Sequence, residues 1–468
     1  MNIEQLLLRQ RTRRHFFRDS GVGVAKMALA SLAMEAAFAK GLHHPSKIDH
    51  VIFLFMAGAP SQLELFDYKP ELTKYDGKTA PEELLKGKRF AFMDTFAKEP
   101  PKMLGTRRKF ERHGQSGIWV SELLPNIAKI ADEISLIQGL STENFNHGPA
   151  KLYTNTGSAR NGRPSMGSWV TYGIGSDSKD LPGFVVLQSG PRGPRGGAAL
   201  WGSGFLPSSY QGVPLRSGGD PILDLSNPKG VTTNEQRLTI DAIRDINTMQ
   251  LTKSGDPEIN TRISQYEMAF RMQTSGPELI DFSKESKETL DAYGAEPGKA
   301  SYANNCLLAR RLVERGTRFV QLYHADWDHH DDITKPLDTV CKEIDKPTAA
   351  LITDLKQRGL LDRTLVIWGG EFGRTPMGEV REKGKIGRNH HIDAYTLMMA
   401  GGGTKKGFVL GGTDELGFTP TEPMDVHDVQ ATILHLFGID HTKLTYRSQG
   451  RDFRLTDVSG TVLKKLIA

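Results

Sequence analysis

The densest collection of reactive side chains in this chain is His324, Asp326, Asp328, His329, His330, Asp331 and Asp332, packed into nine positions. Imidazole combined with carboxylate suits Zn or Mn, with Fe as a further candidate, whereas carboxylates alone suit Mg or Ca. Seven ligands from one short loop are sterically excessive. Asp328 and His330 therefore form the first candidate pair, with Asp326 and His329 as competitors. Asp331 and Asp332 have a second use as caps of a following helix. A second polar run, Gly370-Glu371-Phe372-Gly373-Arg374-Thr375-Pro376, offers Glu371 as a metal ligand and Arg374 as a bidentate contact for phosphate or sulfate. Equally, Glu371 and Arg374 pair with each other and brace the loop. A third run, Gly387-Arg388-Asn389-His390-His391, supplies two adjacent histidines, either of which could be a ligand.

The front half contributes Asn144, Asn146, His147, Pro149, Thr156 and Gly157. A histidine at the start of a helix has the chemistry of a nucleophile, a base, a ligand or an anion contact, or it serves only the loop's hydrogen bonding. Arg160, Arg163, Ser165 and Ser168 form either an anion contact or a solvent-facing turn. Ser61 lacks a GxSxG elbow and is assigned to a turn or cap.

These residues need elements that bring them together. Ile48 to Met56 reads as a nearly continuous apolar strand, suited to the interior of a parallel sheet covered on both faces. Further strands are expected at Ile134–Leu140, Phe184–Leu187, Arg318–Tyr323, Thr364–Trp368, Tyr395–Ala400 and Phe408–Leu410. Helical spacing marks Leu123–Ile130, Tyr302–Arg315 and Val426–Leu436, and also Thr348–Arg358 with Pro347 in its first turn. This helix–Gly–strand–polar-loop alternation predicts a doubly wound α/β sheet whose site lies beyond the strand C-termini. A Gly/Pro-rich excursion spans about 190–230 and a helical insertion about 234–295, within one large domain over 40–468.

The chain carries a formal net charge of +5, of which residues 1–39 account for +3, so the remainder is close to neutral and shows no basic stripe of the kind that nucleic-acid binding uses. Adjacent Arg13 and Arg14, a weakly hydrophobic run from Gly21 to Ala33, and Ala37-Phe38-Ala39 have the layout of a secretory signal cut before Lys40. The arginine pair resembles a twin-arginine signal, which implies the twin-arginine export machinery as a partner and a periplasmic or cell-envelope location. No later run approaches the roughly 20 apolar residues of a membrane span. Cys306 and Cys341 are the two cysteines; a disulfide between them is one reading, and neither belongs to a CxxC metal motif.

Several segments together resemble one family. They are His113-Gly-Gln-Ser-Gly-Ile-Trp-Val-Ser-Glu-Leu-Leu-Pro125, Gly162-Arg-Pro-Ser-Met-Gly-Ser-Trp169, Gly204-Phe-Leu-Pro207, Glu371-Phe-Gly-Arg-Thr-Pro376 and Leu444-Thr-Tyr-Arg-Ser-Gln-Gly-Arg-Asp-Phe453. They resemble the domain-of-unknown-function family 1501, which is placed near the alkaline phosphatase and sulfatase fold. That resemblance implies a mostly parallel central sheet with helices on both faces, and a metal-dependent hydrolase. Against the sulfatase nucleophile pattern, His147 stands in the nucleophile place, and Ala150 and Lys151 stand in the following Ser and Arg places. Ala57, Gly58, Ala59 and Pro60 replace the acidic metal-binding pair, and Phe372 stands at a histidine place. Asp428 falls at the acid of the C-terminal helix, a structural position, and His427 beside it is not taken as a ligand.

A formylglycine cannot form without a modifiable Cys or Ser, and the missing acids remove half of a two-metal clamp. The expectation is therefore an exported hydrolase of a phosphate or sulfate ester, including sulfated or phosphorylated glycans. One divalent metal would be held by Asp328, His330, Glu371 and His390, with His391 as an alternative to His390. His147 would act as nucleophile or base, and Arg374 would stabilise the anionic transition state. The alternative is a carbohydrate- or anion-binding envelope protein without turnover.

Overall fold

The computed structural model describes residues 42–86, 100–216, 227, 229–255, 258–381 and 383–468. The signal-like segment lies outside the described residues, as does part of the 190–230 excursion.

The strands that matter are β1 (His50–Ala57), β2 (Ile134–Ser141), β3 (Phe184–Ser189), β4 (Val213–Leu215), β5 (Phe319–Ala325), β6 (Thr364–Gly369), β7 (Gly373–Glu379), β8 (Gly387–His391), β9 (Tyr395–Gly401), β10 (Phe408–Gly411) and β11 (Met424–Asp425). Nine of them form one sheet in the order β10-β2-β9-β6-β1-β5-β3-β4, with β11 attached to β2. β1 pairs in parallel with β5 and β6. The one antiparallel member is β9, which opposes both β2 and β6. The result is a mixed α/β fold with a mostly parallel sheet.

Strand periodicity explains why both faces are covered. Ile52, Leu54 and Met56 of β1 enter one apolar cluster, with Leu307, Leu312, Ile344 and Leu351 from the helices α5 (Tyr302–Glu314) and α6 (Lys335–Gln357). Val51, Phe53 and Phe55 enter the opposite cluster, with Trp169 and Val170 of α2 (Met166–Ile174) and Ile433 of α7 (Val426–Leu436). Alternate residues point to alternate faces, so a continuous apolar strand is the signature of a two-sided core.

The insertion contains a pair of long helices, α3 (Thr233–Ser254) and α4 (Glu258–Ile280). Arg237 Nη1 meets Glu267 at 2.9 Å between them. Among the described residues, no helix is long and apolar enough to cross a membrane.

Four expectations need correction. The helix placed at Thr348–Arg358 starts at Lys335, with Pro336 in its first turn and Pro347 in its interior. The buried series Leu337, Val340, Cys341, Ile344, Leu351, Ile352 and Leu355 continues through the proline, and this packing overrides its helix-breaking tendency. The Leu123–Ile130 helix shrinks to Pro125–Ala128. The runs after β6, expected as loops, pair as the β7–β8 hairpin. Cys306 and Cys341 are both free thiols, buried in α5 and α6.

The motif segments 162–169, 204–207 and 444–453 converge. Phe205 lies 4.9 Å from Phe453 and 6.1 Å from Trp169 between ring centres, and the Arg163 guanidinium sits 4.4 Å over Phe453. Arg163 thus braces this aromatic junction, and Ser165 and Ser168 hydrogen-bond each other at 2.9 Å.

Candidate metal centre

Asp328, His330, Glu371 and His147 lie past the carboxyl ends of central-sheet strands, the expected location in an open α/β sheet, whereas His390 comes from the separate antiparallel β7–β8 hairpin. The β5 end leads to Asp328 and His330, the β6 end to Glu371, and the β7–β8 hairpin brings Arg374 opposite His390. After β2, α1 (His147–Thr156) begins at His147, with Asn146 capping it through Gly148 N at 3.2 Å. Gly58, just past β1, has φ +120°, and a Cβ there would lie 2.6 Å from the Asp328 amide nitrogen. Only glycine lets the β1 turn approach the ligand loop this closely.

His147, Asp328, His330 and His390 present one ligand atom each within 4.8 Å of one another. From Asp328 Oδ1, the Nε2 atoms lie at 3.1 Å (His147), 2.9 Å (His330) and 3.5 Å (His390). Behind each ring, Nδ1 is anchored by an oxygen. Glu371 Oε1 accepts from His147 at 2.6 Å, Glu379 Oε2 from His330 at 2.6 Å, and the Phe145 carbonyl from His390 at 2.5 Å. Each anchor places the proton on Nδ1 and turns the Nε2 lone pair inward, the arrangement that orients imidazole ligands. His330 and His390 then face each other, Nε2 to Nε2, at 2.8 Å. Two lone pairs at that distance repel unless a proton or cation lies between them. His147 Nε2 is likewise buried and lacks hydrogen-bond geometry toward any partner. Three imidazole nitrogens and one carboxylate oxygen fit a four-coordinate divalent cation with bonds of about 2 Å.

Among the side chains alone, the electrostatics differ from one member to the next. Burial opposes charge on Asp328, but its three histidine neighbours and Arg374 prevail and hold the carboxyl far below its usual range. Burial first, then Arg374 and the neighbouring histidines, push His390 down to about 3, so its imidazole is neutral at physiological pH. Burial works against the His147 imidazolium, but Asp328 and Glu371 outweigh it and raise the pKa. For Glu371, burial is offset by Lys151 and His147, which keep the carboxyl low.

Relative to expectation, His147 and Glu371 exchange places. His147 stands among the donor atoms, while fully buried Glu371 lies behind it and also accepts from Gly58 N at 3.1 Å. Arg374 is 1% exposed, and each of its nitrogens already has partners: Nε donates to the Ala59 carbonyl at 3.0 Å, Nη1 to the Arg388 carbonyl at 3.1 Å, and Nη2 to Asp328 Oδ1 at 2.8 Å. Its position is that of a brace with a charge set against Asp328. Successive residues of β8 point oppositely, which separates the histidine pair: His390 faces the donors and His391 Nε2 meets the Phe418 carbonyl at 2.7 Å.

The remaining candidates sit outside the group. His324 accepts from Trp327 Nε1 at 3.0 Å and meets Glu343 at 2.9 Å. Asp326 pairs with Arg192, and Asp332 accepts from Thr334 N at 2.7 Å in a turn ahead of α6, whose N-cap Thr334 has no side-chain cap, so the capping expectation is not met. His329 is buried nearby, and burial pushes it down to about 4. Ser61 donates to Glu64, which is paired with Arg388. His427 meets the Gly157 carbonyl at 3.0 Å, away from the donors.

Glu379 and Phe145 were missed from sequence, and Phe372 was read only as a departure at a histidine place. Phe372 is fully buried, with ring centres 4.8 Å from His147 and 4.6 Å from His390. A carbonyl anchor has no residue-type signature, and Glu379 becomes visible only through the hairpin register.

Fold and site together define an α/β protein with a three-histidine, one-aspartate donor group at the carboxyl end of its sheet. The chain belongs to the family described as protein of unknown function DUF1501, whose model matches residues 48–467. No curated protein matches it. Similar solved structures include Ps i-CgsB, with 10% identity over 85% of this chain and 72% of that one, at a TM-score of 0.35. The PsFucS1 sulfatase from Pseudoalteromonas sp. has 14% identity over 90% of this chain and 72% of its own, at 0.33. The alkaline phosphatase from the Antarctic bacterium TAB5 has 10% identity over 84% of this chain and 98% of its own, also at 0.33. Overlaps at these TM-scores are loose and transfer no property to this chain.

Proposed function

We propose that this protein is a metal-dependent hydrolase of phosphate or sulfate esters, built on an alkaline phosphatase/sulfatase-like architecture and exported through the twin-arginine pathway. The observation that carries the reading is the set of three outward-anchored imidazoles whose Nε2 atoms surround Asp328 Oδ1. His147, Asp328, His330 and His390 would hold one Zn or Mn, with Fe as a further candidate. A divalent cation in such a donor set supplies Lewis acidity toward an ester oxygen and acidifies water. Glu371 and Glu379 hold their rings in the ligating tautomer, and Phe372 packs against two of them and limits their rotation. Arg374 sets a positive charge against Asp328. Hydrolysis would add water across the ester bond and release an alcohol, with a sulfated or phosphorylated glycan as one substrate class.

The test is elemental analysis of protein purified without chelator or histidine tag, followed by phosphate- and sulfate-ester panels in the metal found. One ion per chain, lost in His330→Ala and His390→Ala together with ester hydrolysis, is expected. A metal-free protein inert on both panels, even after reconstitution, refutes the reading. Export is tested separately: Arg13→Lys/Arg14→Lys should retain a fused reporter in the cytoplasm.

One observation favours a second reading, a carbohydrate- or anion-binding protein without turnover. His147 Nδ1 is bonded to Glu371, and its Nε2 is buried among the donors 3.1 Å from Asp328 Oδ1, a placement that favours a ligand over a nucleophile. Saturable ligand binding by a metal-loaded protein that hydrolyses none of its ligands would select this alternative.

A further inference from the structure

Residues 192–195, at the start of the Gly/Pro-rich run after β3, supply none of the clustered donors, yet they border them. Arg192, Gly193, Pro194 and Arg195 close a small cavity against His147, Lys151, Asp326 and Asp328. Two of these, His147 and Asp328, belong to the donor group, so the cavity opens directly beside it.

Lys151 is the unexplained group in this cavity. It lies one turn after His147 on the same face of α1 and is 3% exposed. Among the described residues its one ion-pair partner is Glu371, at 3.7 Å, beyond hydrogen-bond reach. An ammonium carries three N–H donors, and the Lys151 side chain, otherwise buried, lines this cavity. Arg195, across the cavity, is exposed and makes no ion pair among the described residues. Arg192 Nη2 donates to both carboxylate oxygens of Asp326, at 2.8 and 2.9 Å, with both side chains more than 40% exposed. A surface pair of this kind is weak and exchangeable. The amino end of α1 adds its own positive potential to the cavity floor.

We propose that Lys151 and Arg195 hold a tetrahedral oxyanion, phosphate or sulfate, in this cavity, and that Arg192 exchanges Asp326 for the anion and draws the strap over it. The assignment builds on the metal-centre reading by naming the cations that meet the anionic half of the ester, a role that Arg374, turned toward backbone carbonyls, is not placed to fill. Asp326 is then a built-in competitor that holds the strap in place when no anion is present.

Calorimetric titration of the full chain with inorganic phosphate and, separately, sulfate tests this, in metal-free and metal-loaded protein at low ionic strength. Saturable binding is expected without metal, and the preferred anion separates a phosphate-ester from a sulfate-ester substrate. Arg195→Gln should weaken it about tenfold with an unchanged melting temperature, as for one charge-assisted hydrogen-bonding group. Asp326→Asn, which frees Arg192, should strengthen binding several-fold, about the worth of a surface ion pair. Lys151→Gln should abolish it and Lys151→Arg should restore part; if Lys151→Gln fails to fold, the Arg195 and Asp326 variants decide. Absence of saturable binding by metal-free protein, or equal affinity in wild type, Arg195→Gln and Asp326→Asn, overturns the proposal. Anion binding that persists in a protein without metal or turnover would refute the hydrolase reading and leave this site standing.

Discussion

Replacing Glu371 and Glu379 by glutamine, one at a time, separates the anchoring of a metal ligand from the stability of the fold. Both carboxylates accept from a histidine Nδ1 at 2.6 Å, so each variant weakens the anchor of one ring. Loss of such a partner typically costs 10–100-fold in metal affinity, about 1.4–2.7 kcal/mol. The two differ in what else they support. Glu371 is fully buried and 3.7 Å from buried Lys151, a gross attraction of about 4–5 kcal/mol at an effective dielectric near 20. Desolvation offsets most of that attraction in the intact pair, but removing one partner strands the other charge, at a cost of roughly 3–5 kcal/mol. Glu379 lies nearer the surface, where half-exposed Arg381 also meets it, so its removal should cost roughly 1 kcal/mol or less. Chelator-competition titration gives the affinities and urea denaturation of metal-free protein gives the stabilities. Both variants should lose metal affinity alike, while only Glu371→Gln unfolds much earlier. Wild-type metal affinity in both would refute the anchoring argument, and equal stability would refute the role given to the Lys151–Glu371 pair.

Three further outcomes rest on single contacts. His390→Ala should abolish stoichiometric metal binding, whereas His391→Ala should keep it and lose only about 1 kcal/mol with its bond to the Phe418 carbonyl, as read by elemental analysis and denaturant melts. Gly58→Ala forces a Cβ against the Asp328 amide at positive φ, and should lower both metal content and stability by displacing the ligand loop, the latter by about 1–3 kcal/mol. Burial disfavours the Glu285 carboxylate, but Arg310 and Arg311 prevail and depress its pKa below the usual carboxylate range. A depressed folded pKa contributes stability that is fully present above the unfolded value near 4.5 and is lost as pH falls through the folded value. Glu285→Gln should therefore lower stability at neutral pH and flatten its fall on acidification, measured by denaturant unfolding from neutral pH downward; an unchanged acid slope would exclude the group as a contributor.

Strand placement was legible in the sequence wherever a run was apolar throughout. β1, β2, β3, β5, β6 and β9 all fall within two residues of where hydrophobic continuity puts them, because strands buried on both faces have no polar alternative. Residue type alone put Asp328, His330 and His390 among the candidate donors, but left Asp326, His329 and His391 as competitors; the clustering of the first three with His147 is a matter of geometry. The Pro347 helix was misplaced because a local rule about proline was read without the apolar series on either side of it. The β7–β8 hairpin was missed because its residues are polar and buried, a combination that looks like a loop until the partners of Arg374 and Arg388 are known.

The sequence by itself determined which residues could ligate a metal and which strands would carry them to one end of a sheet, since side-chain chemistry and hydrophobic periodicity are both local properties. Tertiary structure alone decided that His147 joins the donors while Glu371 stands behind it, that His390 rather than His391 faces them, and that Lys151 is buried beside a cavity. Those choices depend on hairpin register and on contacts between residues more than 200 positions apart in the chain, and no local pattern of residue types encodes such distances.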